Sequence, residues 1–337
     1  MSKREIIENL NLEEALQKKN CITYGKINLM KKADTTNVFI PTIVICGAED
    51  GPTFLVEACM HGEEYEGCEA ILSAVEKMNP AEIRGKVIAI PALNLEAFMV
   101  GRRGALHDYY GLNDLNRIYP GRDDAFFTQY LAHYHLNEIV AKADFVLDFH
   151  GGGNYLYLQP EALWMDGDSE CAKEREKMAK AFGAKAIWYD VPGKFNGIEG
   201  CMDVNADKMG IPAIVAEVGG QSSRFGFRKE SVDVLERGLF NIMKLYDMID
   251  GEPIVDPECV IADIEYLHCH NGGLHYPQKA PLTPIKEGET LSIITDIFGN
   301  VVEEMKAPYD GMVIGYWAYS IIHPHNHAYL YGRIVDK

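Results

Sequence analysis

The chain has 337 residues, of which 47% are hydrophobic, and its 32 Lys and Arg against 50 Asp and Glu give a formal net charge of −18. A chain of this length can bury a sizeable core and is expected to contain two domains. The acidity and the lack of a basic run argue against nucleic acid and anionic membranes as partners, because phosphate binding depends on basic patches.

The N-terminal and cysteine patterns predict a cytoplasmic protein. The stretch MSKREIIENLNLEEAL is charged and predicts a surface helix over residues 5–18, not a signal peptide. No apolar run approaches the roughly 18 residues that a transmembrane helix needs. The eight cysteines are scattered without a Cys-x-x-Cys pair, which is typical of free thiols in a reducing compartment.

Residues 21–48 have a β pattern, and the next stretch, LVEACMHGEEYEG (residues 55–67), begins as a buried strand and ends in a loop. A helix is predicted from about Tyr65 to Met78. His61 and Glu64 therefore lie at the carboxyl edge of a sheet, where open α/β sheets bind ligands. An imidazole and a carboxylate three residues apart can share a zinc ion, but a catalytic site needs a third ligand. Alone, His-x-x-Glu is more often an ordinary polar loop.

Two later strands have the same construction. The strand Phe145–Phe149 is followed by His150 and three glycines, and PAIVAEVGG carries Glu217 just before two glycines. Glycines after a strand let the backbone approach a ligand closely. We therefore predict His150 as the third metal ligand and Glu217 as a nearby carboxylate. Strands that alternate with helices, predicted over residues 124–142, 168–182 and 229–249, indicate a layered α/β domain.

Residues 101–122, GRRGALHDYYGLNDLNRIYPGR, form a long irregular segment between predicted elements. Loops of this length and composition are usually functional, so we interpret the segment as a binding loop. It holds Arg102, Arg103, Asn116 and Arg117, and the planar guanidinium group suits a bidentate grip on a carboxylate. One member of the Arg102/Arg103 pair could instead serve only as an ion-pair partner of the many acidic residues.

After about Gly251 the pattern changes to short alternating runs separated by Gly and Pro, which predicts an all-β module. We place the domains at residues 1–252 and 253–337. APYDGMVIG and KEGETL resemble segments of biotinyl/lipoyl carrier domains, but no Met-Lys-Met is present, so a carrier function is not expected. His323, His325 and His327 alternate along the chain; a second metal site and a lining of the active-site mouth are both open interpretations.

The motifs HGEEYEG, DLNRIYPG, DFHGGG and EVGG, in this order, resemble the succinylglutamate desuccinylase/aspartoacylase family. The resemblance covers most of residues 50–250 and the C-terminal β module. It implies a zinc carboxypeptidase-like mixed sheet flanked by helices, plus a small C-terminal all-β domain that is biotinyl/lipoyl-like or barrel-like. It also implies one Zn²⁺ per chain held by His61, Glu64 and His150.

The same resemblance implies roles for the remaining site residues. Glu217 corresponds to the family's catalytic carboxylate, and Asn116 and Arg117 correspond to substrate-binding residues. PALNLEAFMVGRRG is similar to the segment that carries the oxyanion arginine, which we assign to Arg103, with Arg102 as a further substrate contact. The family usually has Asn-Pro where this chain has Asn94 and Leu95.

The predicted activity is zinc-dependent deacylation of an N-acyl amino acid or a similar small amide that carries an anionic group. Glu217 is expected to take a proton from the attacking water and pass it to the leaving amine, while Arg103 stabilises the oxyanion. The alternatives are a metallocarboxypeptidase acting on short peptides and a non-catalytic binding protein. Homo-oligomerisation is left open. Glu63, between the two ligands, is expected to point away from the metal.

Overall fold

The computed structural model describes residues 4–106, 108, 112–190, 198–221 and 228–336. Four residues of the predicted binding loop, 107 and 109–111, lie outside the described residues. Within the described part, the α helices are α1 (Leu12–Leu16), α2 (Glu66–Lys77), α3 (Leu95–Val100), α4 (Phe127–Tyr134), α5 (Glu170–Phe182), α6 (Met202–Lys208) and α7 (Arg228–Leu245). A π turn (His135–Ile139) and a 3₁₀ turn (Val140–Lys142) follow α4, and further 3₁₀ turns cover Pro80–Glu82 and Leu115–Arg117.

The strands are β1 (Ile6–Ile7), β2 (Cys21–Lys31), β3 (Asn37–Cys46), β4 (Glu49–Ala58), β5 (Arg84–Ile90), β6 (Phe145–His150), β7 (Leu156–Met165), β8 (Ala186–Asp190), β9 (Ala213–Gly220), β10 (Val260–His268), β11 (Gly273–Pro277), β12 (Pro284–Ile285), β13 (Thr290–Thr295), β14 (Val301–Lys306), β15 (Gly311–Trp317), β16 (Ile321–Ile322) and β17 (His327–Ile334). A 13-stranded sheet has the order β1-β2-β3-β5-β4-β6-β9-β7-β8-β10-β17-β15-β12. The remaining strands form a four-stranded sheet, β14-β13-β11-β16.

The centre of the large sheet consists of parallel strands that are buried on both faces. Strand β6 pairs in parallel with β4 on one side and with β9 on the other. The register places Ala58 opposite Phe149 and His150 opposite Glu217, so the carboxyl ends of the three strands meet at one edge. Apolar side chains on both faces explain this position, because a central parallel strand has a hydrophobic layer above and below it.

Helices cover both faces of this sheet. The buried face of α2, which includes Ile71 and Val75, packs in one hydrophobic core with α5 and α7, through Phe182 and Leu239. A second core on the opposite face includes residues of α1, α4 and α6, such as Leu131 and Met202. The mixed α/β sheet flanked by helices, predicted from the sequence, is therefore confirmed.

The C-terminal strands close part of the large sheet on itself. β7 pairs with β8, β8 with β10, β10 with β17 and β17 with β15, and β15 returns to pair with β7. Buried apolar side chains of these five strands pack together, among them Leu158, Trp188, Ile264, Ile314 and Leu330. We call β7, β8, β10, β15 and β17 the strand ring. The predicted all-β C-terminal module is confirmed, and the domain boundary at residue 252 stays a prediction.

The N-terminal prediction was wrong in extent. Instead of one helix over residues 5–18, Ile6–Ile7 forms a strand parallel to β2, and the helix covers only Leu12–Leu16. The Asn11 side chain accepts a hydrogen bond from the Glu14 backbone N–H and so starts the helix at Leu12. The other predicted helices begin and end within a few residues of the observed ones.

Two further predictions can be compared with the structure. All eight cysteines are free thiols. In the described parts of the chain, no helix has both the length and the apolar character to cross a membrane.

Candidate active site

The loop between β4 and α2 brings His61 and Glu64 to the sheet edge. The chain turns directly after β4, where Cys59 has a φ of 54°. A Cβ on Gly62 would lie 2.0 Å from the carbonyl carbon of Ala97 in α3. Only glycine allows the loop to press against α3 in this way. The glycine of the His-Gly-Glu-Glu sequence therefore fixes the position of the histidine beside it.

His61, Glu64 and His150 converge on one point. The Nδ1 atom of His61 lies 2.9 Å from Glu64 Oε1, and the Nδ1 atom of His150 lies 2.9 Å from Glu64 Oε2. The two Nδ1 atoms are 3.1 Å apart, and all three side chains are buried. Ligand atoms around one tetrahedral zinc, each about 2.0–2.1 Å from the ion, are separated by comparable distances. The donor set and its spacing thus fit a zinc ion.

Two aspartates hold the outer nitrogens of these histidines. His61 Nε2 lies 3.1 Å from Asp114 Oδ1, and His150 Nε2 lies 2.9 Å from Asp148 Oδ2. Because an ionised carboxylate only accepts, each Nε2 carries a proton, and the Nδ1 atom of each ring is the one that faces Glu64. Two imidazole nitrogens and a carboxylate that converge on one point are a donor set for a metal cation. Carboxylate–histidine pairs of this kind orient the ligands of metal sites.

Sequence reasoning missed both aspartates, although a signal was present for each. Asp148 lies two residues before His150 on the same strand, so both side chains point to one face of the sheet. Asp114 is the first residue of the Asp-Leu-Asn-Arg motif, of which only Asn116 and Arg117 were singled out. The Asp114 carboxylate also accepts a hydrogen bond from the backbone N–H of Asn116.

The charges of the cluster are strongly coupled. Burial opposes ionisation of Glu64, but the two histidines outweigh burial and hold the pKa of its carboxyl well below its usual range. Burial also opposes ionisation of Asp114, and the hydrogen bond from His61 together with the charge of Arg103 lowers the pKa of that carboxyl. Both groups therefore remain carboxylates at neutral pH, as a metal site of this kind requires.

Glu217 lies on β9 beside His150 and lines the same cavity. Burial raises the pKa of its carboxyl to about 8, and the Glu64 carboxylate adds to this effect while His150 opposes it. Across the sheet, Glu161 of β7 lies opposite Glu217. Burial and the charge of Glu217 raise the pKa of Glu161 well above its usual range. Glu217 is thus a carboxyl group with a proton affinity suited to exchange near neutral pH.

The two arginines of the Arg102/Arg103 pair occupy different places. Arg103 Nε donates to Asp114 Oδ2 at 2.8 Å, and Arg103 Nη1 lies 3.7 Å from Glu64 Oε1. Arg103 therefore contacts the cluster and lines the cavity next to it. Arg102 lines only the wider, outer cavity.

Asn116 and Arg117 line the inner cavity and are held by residues near α6. The Asn116 side-chain oxygen accepts a hydrogen bond of 2.8 Å from the backbone N–H of Met202. Arg117 Nη1 donates to the Asn116 carbonyl at 2.7 Å and lies 3.5 Å from Cys201 Sγ. These bonds leave part of the guanidinium group of Arg117, an exposed residue, facing the cavity.

The strand ring supplies part of the wall of the cavity. The inner cavity, of about 110 Å³, is lined by the ligand set and also by ring residues, which are Leu158, Leu163, Trp188, Tyr266 and Leu330. It opens towards an outer cavity of about 620 Å³ that includes Tyr155, His268, Trp317 and His327. The five ring residues of the inner cavity were not singled out from the sequence, whereas His327 was considered as a lining of the active-site mouth.

The histidines of the C-terminal module do not form a second metal group. Among the described residues, His61, Glu64 and His150 form the group whose ligand atoms all lie within 4.8 Å of one another. His327 instead lines the outer cavity together with His268, and the two rings are 6.2 Å apart. His323 and His325 are exposed. Of the three alternating histidines, only His327 therefore fits the predicted lining of the active-site mouth.

Glu63 lies outside the ligand group, as expected, but it is buried and makes contacts of its own. Its side chain is buried and accepts a hydrogen bond from the Asn154 side-chain amide. Gly153, with a φ of 55°, packs against it; a Cβ there would lie 2.8 Å from Glu63 Oε1. Glu63 also lines the outer cavity. Its role is therefore to support the loop after β6.

A two-histidine, one-carboxylate set at the edge of a parallel sheet, with a carboxyl group and arginines around it, is typical of metal-dependent hydrolases. The model of the succinylglutamate desuccinylase/aspartoacylase catalytic domain matches residues 50–246. The chain belongs to this family, as the sequence motifs predicted.

Two of the following three relatives are named as deacylating enzymes. The chain is 30% identical over 284 residues to the N-alpha-acetyl-L-2,4-diaminobutyric acid deacetylase of Halomonas elongata, which covers 82% of this chain and 80% of the relative. The product-bound structure of the ectoine utilization protein EutE (DoeB) of Ruegeria pomeroyi has a TM-score of 0.85 at 26% identity, covering 94% of this chain and 96% of the other. A succinylglutamate desuccinylase of Silicibacter sp. TM1040 has a TM-score of 0.84 at 25% identity, covering 95% and 97%.

Proposed function

We propose that this protein is a zinc-dependent hydrolase that removes the acyl group from an N-acyl amino acid. The observation that carries the proposal is the convergence of three buried ligand atoms, from His61, Glu64 and His150, within 4.8 Å. The partner carboxylates on both Nε2 atoms support it, because they orient both Nδ1 atoms toward the Glu64 carboxylate, where a metal ion would replace their protons. Family membership supports the choice of hydrolysis over simple binding.

In this proposal the three ligands hold one zinc ion per chain. Bound zinc would supply Lewis-acid chemistry, which lowers the pKa of a water molecule and polarises an amide carbonyl. Asp114 and Asp148 accept hydrogen bonds from the Nε2 atoms and so hold the ligand imidazoles in the orientation that presents Nδ1 to a metal. The tight loop at Gly62 keeps His61 in place during the reaction.

The residues around the ligand set carry the proton and charge transfers. Glu217 takes a proton from the attacking water and later gives it to the leaving amine, which suits a carboxyl group whose pKa burial raises to about 8. Arg103 lies at the rim of the ligand set and stabilises the negative charge that develops on the carbonyl oxygen. Asn116 and Arg117 bind the carboxylate of the substrate.

The substrate class follows from the cavity and from the relatives. The small volume of the inner cavity, about 110 Å³, favours a short amino acid side chain over a long one. The relative from Halomonas elongata is named for deacetylation of N-alpha-acetyl-L-2,4-diaminobutyric acid. An acetylated small amino acid is therefore the substrate class that we propose for this chain.

A hydrolysis screen tests the proposal. The zinc-loaded protein is assayed against N-acetyl and N-succinyl amino acids and against short peptides, with metal content measured in parallel. We expect release of a free amino acid from an N-acyl amino acid. We also expect the Glu217→Gln variant to keep its zinc and lose about 10²–10⁴-fold in kcat, because general acid–base catalysis contributes that much.

The other outcomes separate the alternatives. Cleavage of C-terminal residues from peptides, with no deacylation, would indicate a metallocarboxypeptidase. Zinc binding without hydrolysis of any amide would indicate a binding protein. Undiminished turnover in Glu217→Gln would refute the assigned base but not the substrate class.

A further inference from the structure

The inner cavity contains a carboxylate that the proposed reaction does not use. Asp203 lies in the first turn of α6 and lines the cavity with Glu217 and Arg117. Among the described residues, no cation forms an ion pair with it; the buried Arg175, whose charge acts on Asp203, lies 3.7 Å from Asp207 instead. Burial raises the pKa of the Asp203 carboxyl to about 6, so the group is still mainly ionised at neutral pH.

The cavity around Asp203 is otherwise apolar on the side of the strand ring. Leu158, Leu163 and Leu330 form much of this wall. A carboxylate at an apolar wall is costly unless a positive partner reaches it. The wall also includes Trp188 and Tyr266, whose ring centroids are 6.0 Å apart, and aromatic faces attract cations. A positively charged group is therefore the occupant that this part of the cavity favours.

Positive side chains line the same cavity. Arg103 and Arg117 are among its lining residues, and in the proposed function they bind the substrate carboxylate and the developing oxyanion. The described walls thus carry both positive charge, from the arginines, and negative charge, from Asp203. A ligand with one anionic and one cationic group complements this arrangement. The small volume of the cavity, about 110 Å³, favours a short side chain between the two groups.

We propose that Asp203 is a specificity-determining residue that binds the free ammonium group of an N-acyl diamino acid with a short side chain. The inference rests on the proposed function, because it concerns the substrate of the same site. Asp203 acts by charge: a substrate with a methyl group in place of the ammonium group leaves the carboxylate buried against apolar atoms. Such substrates are rejected because desolvation of Asp203 is not compensated.

Calorimetry with two free amino acids tests the charge preference without relying on turnover. L-2,4-diaminobutyrate and L-norvaline differ only in an ammonium group against a methyl group at the end of the side chain. We expect the zinc-loaded wild type to bind the diamino acid about 10–100-fold more tightly, the range of a charge-assisted hydrogen bond. In Asp203→Asn the preference should largely disappear while zinc content is unchanged.

Asp207→Asn is the matched control. Asp207 lies on the same helix and contacts Arg175, but it does not line the cavity. This variant should keep the preference of the wild type. Asp203→Glu provides a second test, since the longer side chain should shift the preference to L-2,3-diaminopropionate, which is one methylene shorter.

Hydrolysis of the N-alpha-acetyl derivatives of the same two amino acids, measured in parallel, separates the two proposals. A charge preference that is absent from the wild type, or that survives in Asp203→Asn, overturns the inference about Asp203 even if both derivatives are hydrolysed. A preference that depends on Asp203, with hydrolysis of neither derivative or of any other N-acyl amino acid, supports the binding role and overturns the proposed function instead.

Discussion

The carboxyl edge of β4, β6 and β9 and the strand ring border one cavity, but they are built in different ways. The edge is a dense set of buried charges, in which each histidine has a carboxylate on either side. The ring side of the cavity is apolar and aromatic, with its residues drawn from strands far apart in the sequence. The difference suggests a division of labour: the edge provides the chemistry, and the ring selects what reaches it.

Removal of a metal ligand should give the largest loss of activity. A small loss would contradict the view that the ligand edge provides the chemistry. Glu64→Ala leaves two imidazole Nδ1 atoms 3.1 Å apart without the carboxylate between them. We expect loss of stoichiometric zinc by elemental analysis and a fall in activity of about 10³-fold or more, because metal and ligand act as a unit.

Glu63→Ala is the control for that variant. Its carboxylate supports Asn154 rather than the ligand group, so zinc should be retained and activity should fall by no more than about tenfold, the lower range for supporting residues. Equal losses in the two variants would show that the loop, and not the ligand set, determines metal binding.

Arg103→Ala should come next. Arg103 is the arginine that reaches both Glu64 and Asp114, and loss of an oxyanion donor typically costs about 10²–10³-fold in kcat. Arg102→Ala, at the outer cavity, should affect mainly KM. The kcat and KM values of both variants are measured with one N-acyl amino acid. A larger loss of kcat in Arg102→Ala than in Arg103→Ala would make Arg102 the oxyanion arginine.

Asp148→Asn tests how far the edge depends on the residues behind the ligands. The Asp148 carboxylate accepts a hydrogen bond from His150 Nε2 and so fixes the tautomer of the imidazole. An uncharged asparagine does not fix this tautomer in the same way. We expect zinc affinity, measured by competition with a chelator, to fall about 10–100-fold, as for other residues that orient metal ligands. Unchanged zinc affinity would mean that packing alone, without Asp148, holds the ligands at the sheet edge in place.

The smallest effect should come from Asp203 of α6, which lines the same cavity, and should depend on pH. The pKa of Asp203 is raised by burial from 3.8 to about 6, so the folded protein binds a proton more tightly than the unfolded chain. Stability is therefore lost as pH rises between these values and stays reduced above them. Asp203→Asn avoids this loss and should raise the Tm by a few degrees at pH 7.5, and by less at pH 5.

A structural role for Asp203 predicts the opposite sign. If its main function were to neutralise Arg175, the asparagine variant would have a lower Tm at pH 7.5 than the wild type. Thermal unfolding of the wild type and the variant at the two pH values decides between a recognition residue and a structural ion-pair partner.

The difference between the ligand edge and the strand ring also explains which site residues could be predicted from the sequence. His61, Glu64, His150 and Glu217 follow or end strands with clear apolar patterns, so their meeting at one edge follows from parallel strand geometry. Asp114 was missed because its partner, His61, lies 53 residues away, and nothing in the sequence links the two. Asp148 was missed although it lies two residues before its partner His150, because a single carboxylate inside an apolar strand was not examined as a partner of the ligand.

The ring residues that line the cavity could not be predicted from the sequence, for a different reason. Trp188, Tyr266 and Leu330 come together because β10 pairs with β8 and with β17, and no local pattern predicts pairings between strands so far apart in the sequence. The N-terminal helix was overestimated because a charged stretch with periodic leucines resembles a surface helix. In the structure, Ile6–Ile7 instead adds a strand to the sheet edge.

Closure of the strand ring also has a consequence for the order in which the protein is made. The ring joins β7, near residue 160, to β15 and β17, near residues 315 and 330. During synthesis the ligand edge can be complete while the ring is still open, because long-range pairings wait for the last strands. A nascent chain would then have its metal ligands assembled before it has a substrate pocket. Acquisition of zinc and acquisition of selectivity would thus be separate events in the life of the molecule.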